Sequence, residues 1–263
     1  MHIKPTLSRA GALSETTDQY AQLVDNIVLM VKDWDVMDYK DIGFRDNKKA
    51  TRKVGANANI ILVAEKAGHQ DFLLEMQDKY QISTIALGGQ PSLLNIEYFV
   101  DDFKGEKIDL RRSFYIFTIV DYDPSGWIIK DAFRDNLKHY GIKNLKVVDL
   151  VHPDMLTPEE IKFSRFRIPA RKGMKAKNRN WLRQVKKRNY KNQKYLVKET
   201  WKKKRIKRTL YGLEAEAVSD TRLEKELDAL LEALLGKSEE ILKLARLKRL
   251  QESIKNLILE KLT

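Results

Sequence analysis

With 263 residues, 43% of them hydrophobic and 33% charged, the chain has room for one large domain or two small ones and can bury a core. It has no cysteine, which excludes disulfides and thiolate metal sites and leads us to expect an intracellular protein. The formal net charge of +13 is uneven: Arg171 to Arg208 holds 18 Lys or Arg against the single acid Glu199, a local +17, so the remainder carries −4. No apolar run approaches the roughly 18 residues of a membrane span. Residues Met1 to Arg9 lack the apolar core of a signal peptide. The expected setting is cytoplasmic and DNA-associated, without a membrane.

Residues 1–57 read as an N-terminal helix and linker. A helix is predicted from about Ser14, with Tyr20, Leu23, Val24, Ile27, Val28 and Val31 forming an apolar stripe. Asp41 to Gly55 is polar and reads as linker. The first strand is Asn59–Ala64, ending at Glu65-Lys-Ala-Gly68, with a helix over about His69 to Tyr80. The second strand, Ile82–Leu87, ends in Gly88-Gly-Gln-Pro91 and leads into a helix from Ser92 to Phe103.

After a charged loop comes Phe114–Val120, a near-continuous apolar run of the kind buried on both faces of a parallel sheet. It runs into Asp121-Tyr-Asp123-Pro-Ser-Gly126 and a helix that stops at Gly141. The last strand is Leu145–Leu150. This alternation predicts an α/β domain over residues 58–168, a Rossmann-like four-stranded parallel sheet with right-handed crossovers and flanking helices.

Residues 169–210 are expected to form a basic helical arm, in which Trp181, Tyr190, Tyr195 and Trp201 interrupt the cations. Arg171, Lys172, Lys175, Arg179, Arg183, Lys186, Lys187, Arg188, Lys202, Lys203 and Arg205 are candidate phosphate contacts. The alternative uses the aromatics as the buried stripe of a helix with a solvated basic face, and both can hold. Residues 211–263 are expected to be helical. Leu223, Leu227, Leu230, Leu231, Leu234 and Leu235 make one stripe; Ile241, Leu244, Leu247, Leu250, Ile254, Leu257, Ile258 and Leu262 make a second, suited to a hairpin or a dimer contact.

The chemistry gathers at the strand ends, where open parallel sheets place their ligands. Asp121 and Asp123 are two apart, so an extended backbone projects both to one side, and oxygen-only ligands suit Mg²⁺. The competing reading is an Asp-rich turn before Pro and Gly. Glu65 is a candidate third ligand or general acid/base, or a helix-start acid favoured by the dipole. Gly88, Gly89 and Gln90 offer backbone N–H groups to a phosphate, or form a tight turn that needs glycine. Lys66 is a phosphate contact or a solvated lysine.

A glutamate after the first strand and Asp-x-Asp after the third resemble the Toprim domain of topoisomerases, primases and nucleases. The ordered set Glu65-Lys66, Gly89-Gln-Pro91 and Phe117-Thr-Ile-Val-Asp-Tyr-Asp-Pro-Ser-Gly126 is similar to the A subunit of archaeal DNA topoisomerase VI and its meiotic double-strand-break relative. Tyr211-Gly-Leu-Glu-Ala-Glu-Ala217 is similar to that family's Glu-Ala-rich helix start. The resemblance spans about Asn59 to Leu235. It implies a Mg²⁺-dependent type IIB topoisomerase-like activity on double-stranded DNA, a homodimer, and a separate ATP-hydrolysing B-type subunit. Catalysis and metal binding would fall to Glu65, Asp121 and Asp123.

The family's attacking tyrosine sits in a preceding winged-helix domain. Here the only tyrosines before Ile60 are Tyr20 and Tyr39, neither in an Arg-rich Tyr-Tyr context. The nucleophile is therefore expected from another domain or chain. The alternatives are a tyrosine-independent metal-dependent Toprim nuclease and a non-catalytic DNA-binding module.

Overall fold

The computed structural model describes residues 19–170, 172–202 and 205–235, with residues 247, 250, 251, 253–255 and 258 beyond them. The chain divides into two compact units, residues 1–47 and 48–263. In the first, helix α1 (Gln19–Val28) runs into a π-helical turn over Leu29–Asp33, carrying the predicted stripe as far as the buried Val31. Ser14, its expected cap, lies outside the described residues.

The second unit is mixed α/β, built on a mostly parallel sheet. Strands β2 (Asn57–Ala64), β3 (Ile82–Ala86), β4 (Phe114–Ile119) and β5 (Leu145–Asp149) are parallel, and β1 (Arg52–Lys53) runs antiparallel beside β3, giving the order β1-β3-β2-β4-β5. The sheet is thus five-stranded, not four-stranded, and the extra strand lies within the segment read as linker. Arg52 explains it. Its guanidinium is buried, with Nε 2.7 Å from Asp102 Oδ2 and one terminal nitrogen 3.2 Å from Asn95 Oδ1, so a charged residue is fixed at the sheet edge by partners 50 and 43 residues away.

Helices α2 (Gln70–Tyr80), α3 (Leu93–Gly105) and α4 (Pro124–His139) make the crossovers. The central strand β2 shows why both faces are covered. Ile60, Leu62 and Ala64 pack into one core with α2, whereas Ile61 and Val63 pack into the other with α3 and α4. From β2 the chain moves to β3 on one side, then returns to β4 on the other. The order reverses at the β2–β4 boundary, the kind of switch point where ligands bind in open α/β sheets.

Beyond the sheet come α5 (Pro158–Ser164), β6 (Arg165–Arg167), α6 (Lys175–Arg188), β7 (Val197–Lys202), β8 (Arg205–Leu213) and α7 (Asp220–Leu235). The arm expected to be helical is so only over α6. Its second half is an antiparallel pair, β7 with β8, and β8 also pairs with β6. Val197, Thr200, Trp201, Ile206, Thr209 and Leu210 supply the β-branched and apolar residues that suit a strand pair, and charge count concealed them. Tyr211 to Leu213 ends β8 rather than opening a helix; α7 starts at Asp220, after a 3₁₀ turn at Ala215–Ala217. Leu223, Leu227 and Leu231 of α7 are fully buried in the same core as α2 and β2. Half of the second stripe, Ile241, Leu244, Leu257 and Leu262, lies outside the described residues; Leu247, Leu250, Ile254 and Ile258 are exposed.

One buried ionic cluster ties α6 to the sheet. Asp149, at the end of β5, accepts from Lys130 Nζ at 2.8 and 3.1 Å, from Thr118 Oγ1 at 3.0 Å and from Arg188 at 2.8 Å. Both cations lie over the Trp127 ring, at 3.9 Å for Lys130 and 5.0 Å for Arg188. Burial drives the Lys130 ammonium toward deprotonation, and Asp149 opposes that. Asp149→Ala would strand Lys130 in the core. We expect it to destabilise the fold by about 3–5 kcal/mol, read from urea unfolding.

Candidate functional site

The site forms where β2 and β4 end. The main chain clamps the two ends together: Glu65 N–H donates to Ile119 O at 3.0 Å, and Asp121 N–H donates to Glu65 Oε2 at 3.4 Å. The chain then turns sharply. Asp123 N–H donates to Asp121 O at 2.8 Å, and a Cβ at Gly126 would lie 2.2 Å from that same carbonyl oxygen, so only glycine fits. Asp123 caps α4, its Oδ1 accepting from Gly126 N–H at 2.7 Å, with Pro124 as the first helical residue. The turn reading of Asp123 is therefore realised, and it leaves the second carboxylate oxygen to the site.

A distant segment closes the site. Tyr122 and Leu213 pair through their backbones, at 2.8 and 3.3 Å. That brings Ala215 N–H to 2.8 Å from Asp121 Oδ1. Lys66 Nζ sits between acids, 3.2 Å from Asp121 Oδ1 and 2.6 Å from Glu216 Oε2. A Cβ at Gly212 would come 2.9 Å from the Asp123 Cβ and 2.6 Å from the Phe166 ring, so β8 can approach this closely only with glycine there. Gly212, Ala215 and Glu216 were absent from the candidates, although all three stand inside the motif Tyr211 to Ala217 quoted above. No local spacing links position 121 to position 215.

The electrostatics record the crowding. Burial raises the proton affinity of Glu65, and the charges of Asp121 and Asp123 push it the same way, against the Asp121 N–H and Lys66. Asp123 is also raised, first by burial and then by Asp121, against the Gly126 and Ser125 N–H groups. Burial alone would lower Lys66, but Glu216 and Asp121 reverse this and hold the ammonium charged.

The donor set is hard oxygen, which fits Mg²⁺, an ion commonly held by one or two carboxylates while it keeps several waters. The three acids feel one another's charge without forming a closed cage: among the described residues no three His, Asp or Glu side chains are grouped as ready metal ligands. Lys66 on Asp121 and the cap on Asp123 account for the spacing. Asp121 and Asp123 are the residues that would hold the ion, with Glu65 beside them.

The other expected contacts divide. Gly88 and Gly89 have φ of +66° and +107°, and Gly89 N–H donates to Glu65 O at 2.9 Å. The glycines serve the tight turn, and the Gly89 N–H is already committed to protein rather than offered to a phosphate. Ser92 caps α3 instead, accepting from Asn95 N–H at 3.3 Å. Gln90 is exposed beside that turn. Lys66 meets carboxylates, and Arg188 is engaged with Asp149 and Trp127, so neither stands as an open phosphate contact.

Lys175, Arg179, Arg183, Lys186 and Lys187 are exposed along α6, while Trp181 and Val185 are buried beneath them. The helix thus has the buried stripe and the exposed basic face that the second sequence reading expects. The backbones of Lys202 and Arg205 end β7 and begin β8, and Lys172 opens a 3₁₀ turn. Arg171 and Lys203 lie outside the described residues. Among the described residues no helix is long and apolar enough to cross a membrane.

No protein-family model matches the chain, and no curated protein matches it.

Raised carboxylates cost stability when ionised. In the folded state Glu65 and Asp123 hold protons more tightly than in the unfolded chain, so stability falls as pH rises from their ordinary values through their elevated ones. Glu65→Gln removes one of the repelling charges. We expect it to gain about 1 kcal/mol, roughly 2–4 °C in Tm, with the gain larger near pH 8 than near pH 5 in thermal melts.

Proposed function

We propose that this chain is the Mg²⁺-binding, DNA-handling part of a DNA-cleavage enzyme, with a Toprim-type sheet like that of the topoisomerase VI A subunit. The observation that carries this reading is the placing of Glu65, Asp121 and Asp123 at the sheet's switch point, with Glu65 and Asp123 raised by burial and by the charge of Asp121. Such a site gains from a divalent cation. Bound there, Mg²⁺ would stabilise charge on a scissile phosphate and its leaving oxygen. Asp121 and Asp123 hold the cation; Ala215 N–H and the α4 N-terminus keep their carboxylates oriented. Glu65, with its raised proton affinity, is suited to exchange a proton.

The exposed cations of α6 supply the surface for a DNA backbone. A covalent step through tyrosine needs another domain or chain, since Tyr122 beside the site is buried and its hydroxyl donates to Gln193 at 2.7 Å. Association with a second copy and with an ATP-hydrolysing subunit belongs to this reading. A tyrosine-independent nuclease is the second reading, and Glu65 favours it, because a carboxylate of raised proton affinity can take a proton from an attacking water.

Supercoiled plasmid with Mg²⁺ tests the site. We expect nicking or linearisation that drops at least about 100-fold in Asp121→Asn/Asp123→Asn, a pair that preserves the cap and the Ala215 contact. Ends released only after protease treatment indicate a covalent link; free ends indicate the nuclease. Equal cleavage in wild type and variant sinks the proposal, and cleavage in neither rules out the tyrosine-independent nuclease. Separately, Arg179→Glu/Arg183→Glu is expected to weaken duplex binding across all sequences and flatten its log–log salt slope by about 2, measured by fluorescence anisotropy.

A further inference from the structure

A cleft of about 300 Å³ opens between β6, β8 and α6, apart from the carboxylates. Arg167, Lys175, Arg179 and Arg208 line it, with no acid among the lining residues. Ile168, Leu182 and Leu210 form its apolar walls. Asn178 gives it a recognition element. This side chain is only 9% exposed, and its Nδ2 donates to Pro169 O at 3.0 Å. Its Oδ1 is buried with no hydrogen-bond partner. A buried acceptor left open costs free energy unless a donor reaches it. The cleft therefore combines a cationic rim and apolar walls with a lining residue whose amide oxygen has no partner, at the lower end of the volumes that take small ligands.

We propose that this cleft binds a single nucleotide unit, with the phosphate on the arginines, the base against the apolar walls and a base N–H on Asn178 Oδ1. Planar guanidinium groups match phosphate oxygens in pairs. Arg208 already uses Nε on Glu199 at 2.7 Å, which fixes its fork at the rim. Each common base carries an N–H or amino donor on its pairing edge, so the acceptor selects an unpaired base rather than one inside a duplex. Strand β8 joins this cleft to the acidic site: Leu210 lines the cleft and Leu213 pairs with Tyr122, three residues or about 10 Å along the strand. An unpaired nucleotide held in the cleft would keep its strand beside the carboxylates. The inference rests on the nucleic-acid reading of the basic surface and not on the metal.

The test is calorimetric titration of the full chain with deoxynucleoside monophosphates, without divalent ions. We expect saturable binding that is at least about tenfold tighter than for the deoxynucleoside or for inorganic phosphate alone. Ala170→Trp fills the exposed mouth of the cleft and leaves every charge in place. It should weaken nucleotide binding at least about tenfold, whereas Arg179→Glu should weaken nucleotide and inorganic phosphate together. Circular dichroism and melting establish that both variants fold.

To separate a free nucleotide from one in a strand, duplexes with and without a single-nucleotide overhang are compared. A preference for the overhang that Ala170→Trp abolishes identifies the strand; monophosphate binding without that preference identifies the free nucleotide. Inorganic phosphate binding as tightly as the nucleotide, or Ala170→Trp leaving affinity unchanged, overturns the proposal. Loss of plasmid cleavage in the Asp121/Asp123 variant with nucleotide binding intact separates this site from the metal reading.

Discussion

The backbone pair between Tyr122 and Leu213 is the contact on which the candidate site depends. It is a single antiparallel bridge, two hydrogen bonds at 2.8 and 3.3 Å, yet it joins the two sheets of the second unit. Without it Ala215 N–H would not reach Asp121, and Lys66 would lose Glu216 as its second partner. It also sets the steric demand at Gly212, where a methyl group would collide with Asp123 and with Phe166. The cost of so tight a junction is met by apolar burial around it. Tyr122 packs edge-on against Trp181 at 5.8 Å and Tyr190 at 6.3 Å, and Leu213 is fully buried.

Two ionic arrangements stand at the ends of neighbouring parallel strands and are balanced in opposite senses. At the end of β5, Asp149 faces Lys130 and Arg188, and Thr118 satisfies a further lone pair; every charge has an opposite partner and a ring to lie on. That arrangement has the features of structure: buried, paired and closed. At the ends of β2 and β4, three acids share one lysine, and that lysine is divided with Glu216. The acids at this cluster outnumber the cations, which sets it apart from the first.

Legibility followed the range of the interactions. The sheet strands and crossover helices were readable because their signals are local: apolar runs of strand length, Gly after the helix, Asp and Ser before it. Glu65, Asp121 and Asp123 could be placed at strand ends because those ends are marked in the sequence. What escaped was held by contacts across large separations. The edge strand β1 exists because Arg52 finds Asp102, Arg188 turned inward because Asp149 is there, and Ala215 meets Asp121 from 94 residues away. The hairpin of β7 and β8 was hidden for a different reason: its cations dominated the composition, while Val197, Thr200, Trp201, Ile206 and Thr209 supplied the strand-forming residues among them.

Asp123 shows how structural and chemical roles can share one residue. A helix cap needs one acceptor oxygen, and a carboxylate has two. Oδ1 is committed to Gly126 N–H, which holds the side chain at the start of α4 while the charge of Asp121 acts on the same carboxylate. The α4 N-terminus lowers the cost of a charge there, while burial and Asp121 raise it, and the balance lies with the raised state. An asparagine would cap as well and would relieve the repulsion; serine would cap without any charge. Capping alone therefore does not require aspartate at position 123. The residue is explained when the second oxygen has work of its own, beside a second acid and at the one place in the sheet where the strand order turns back.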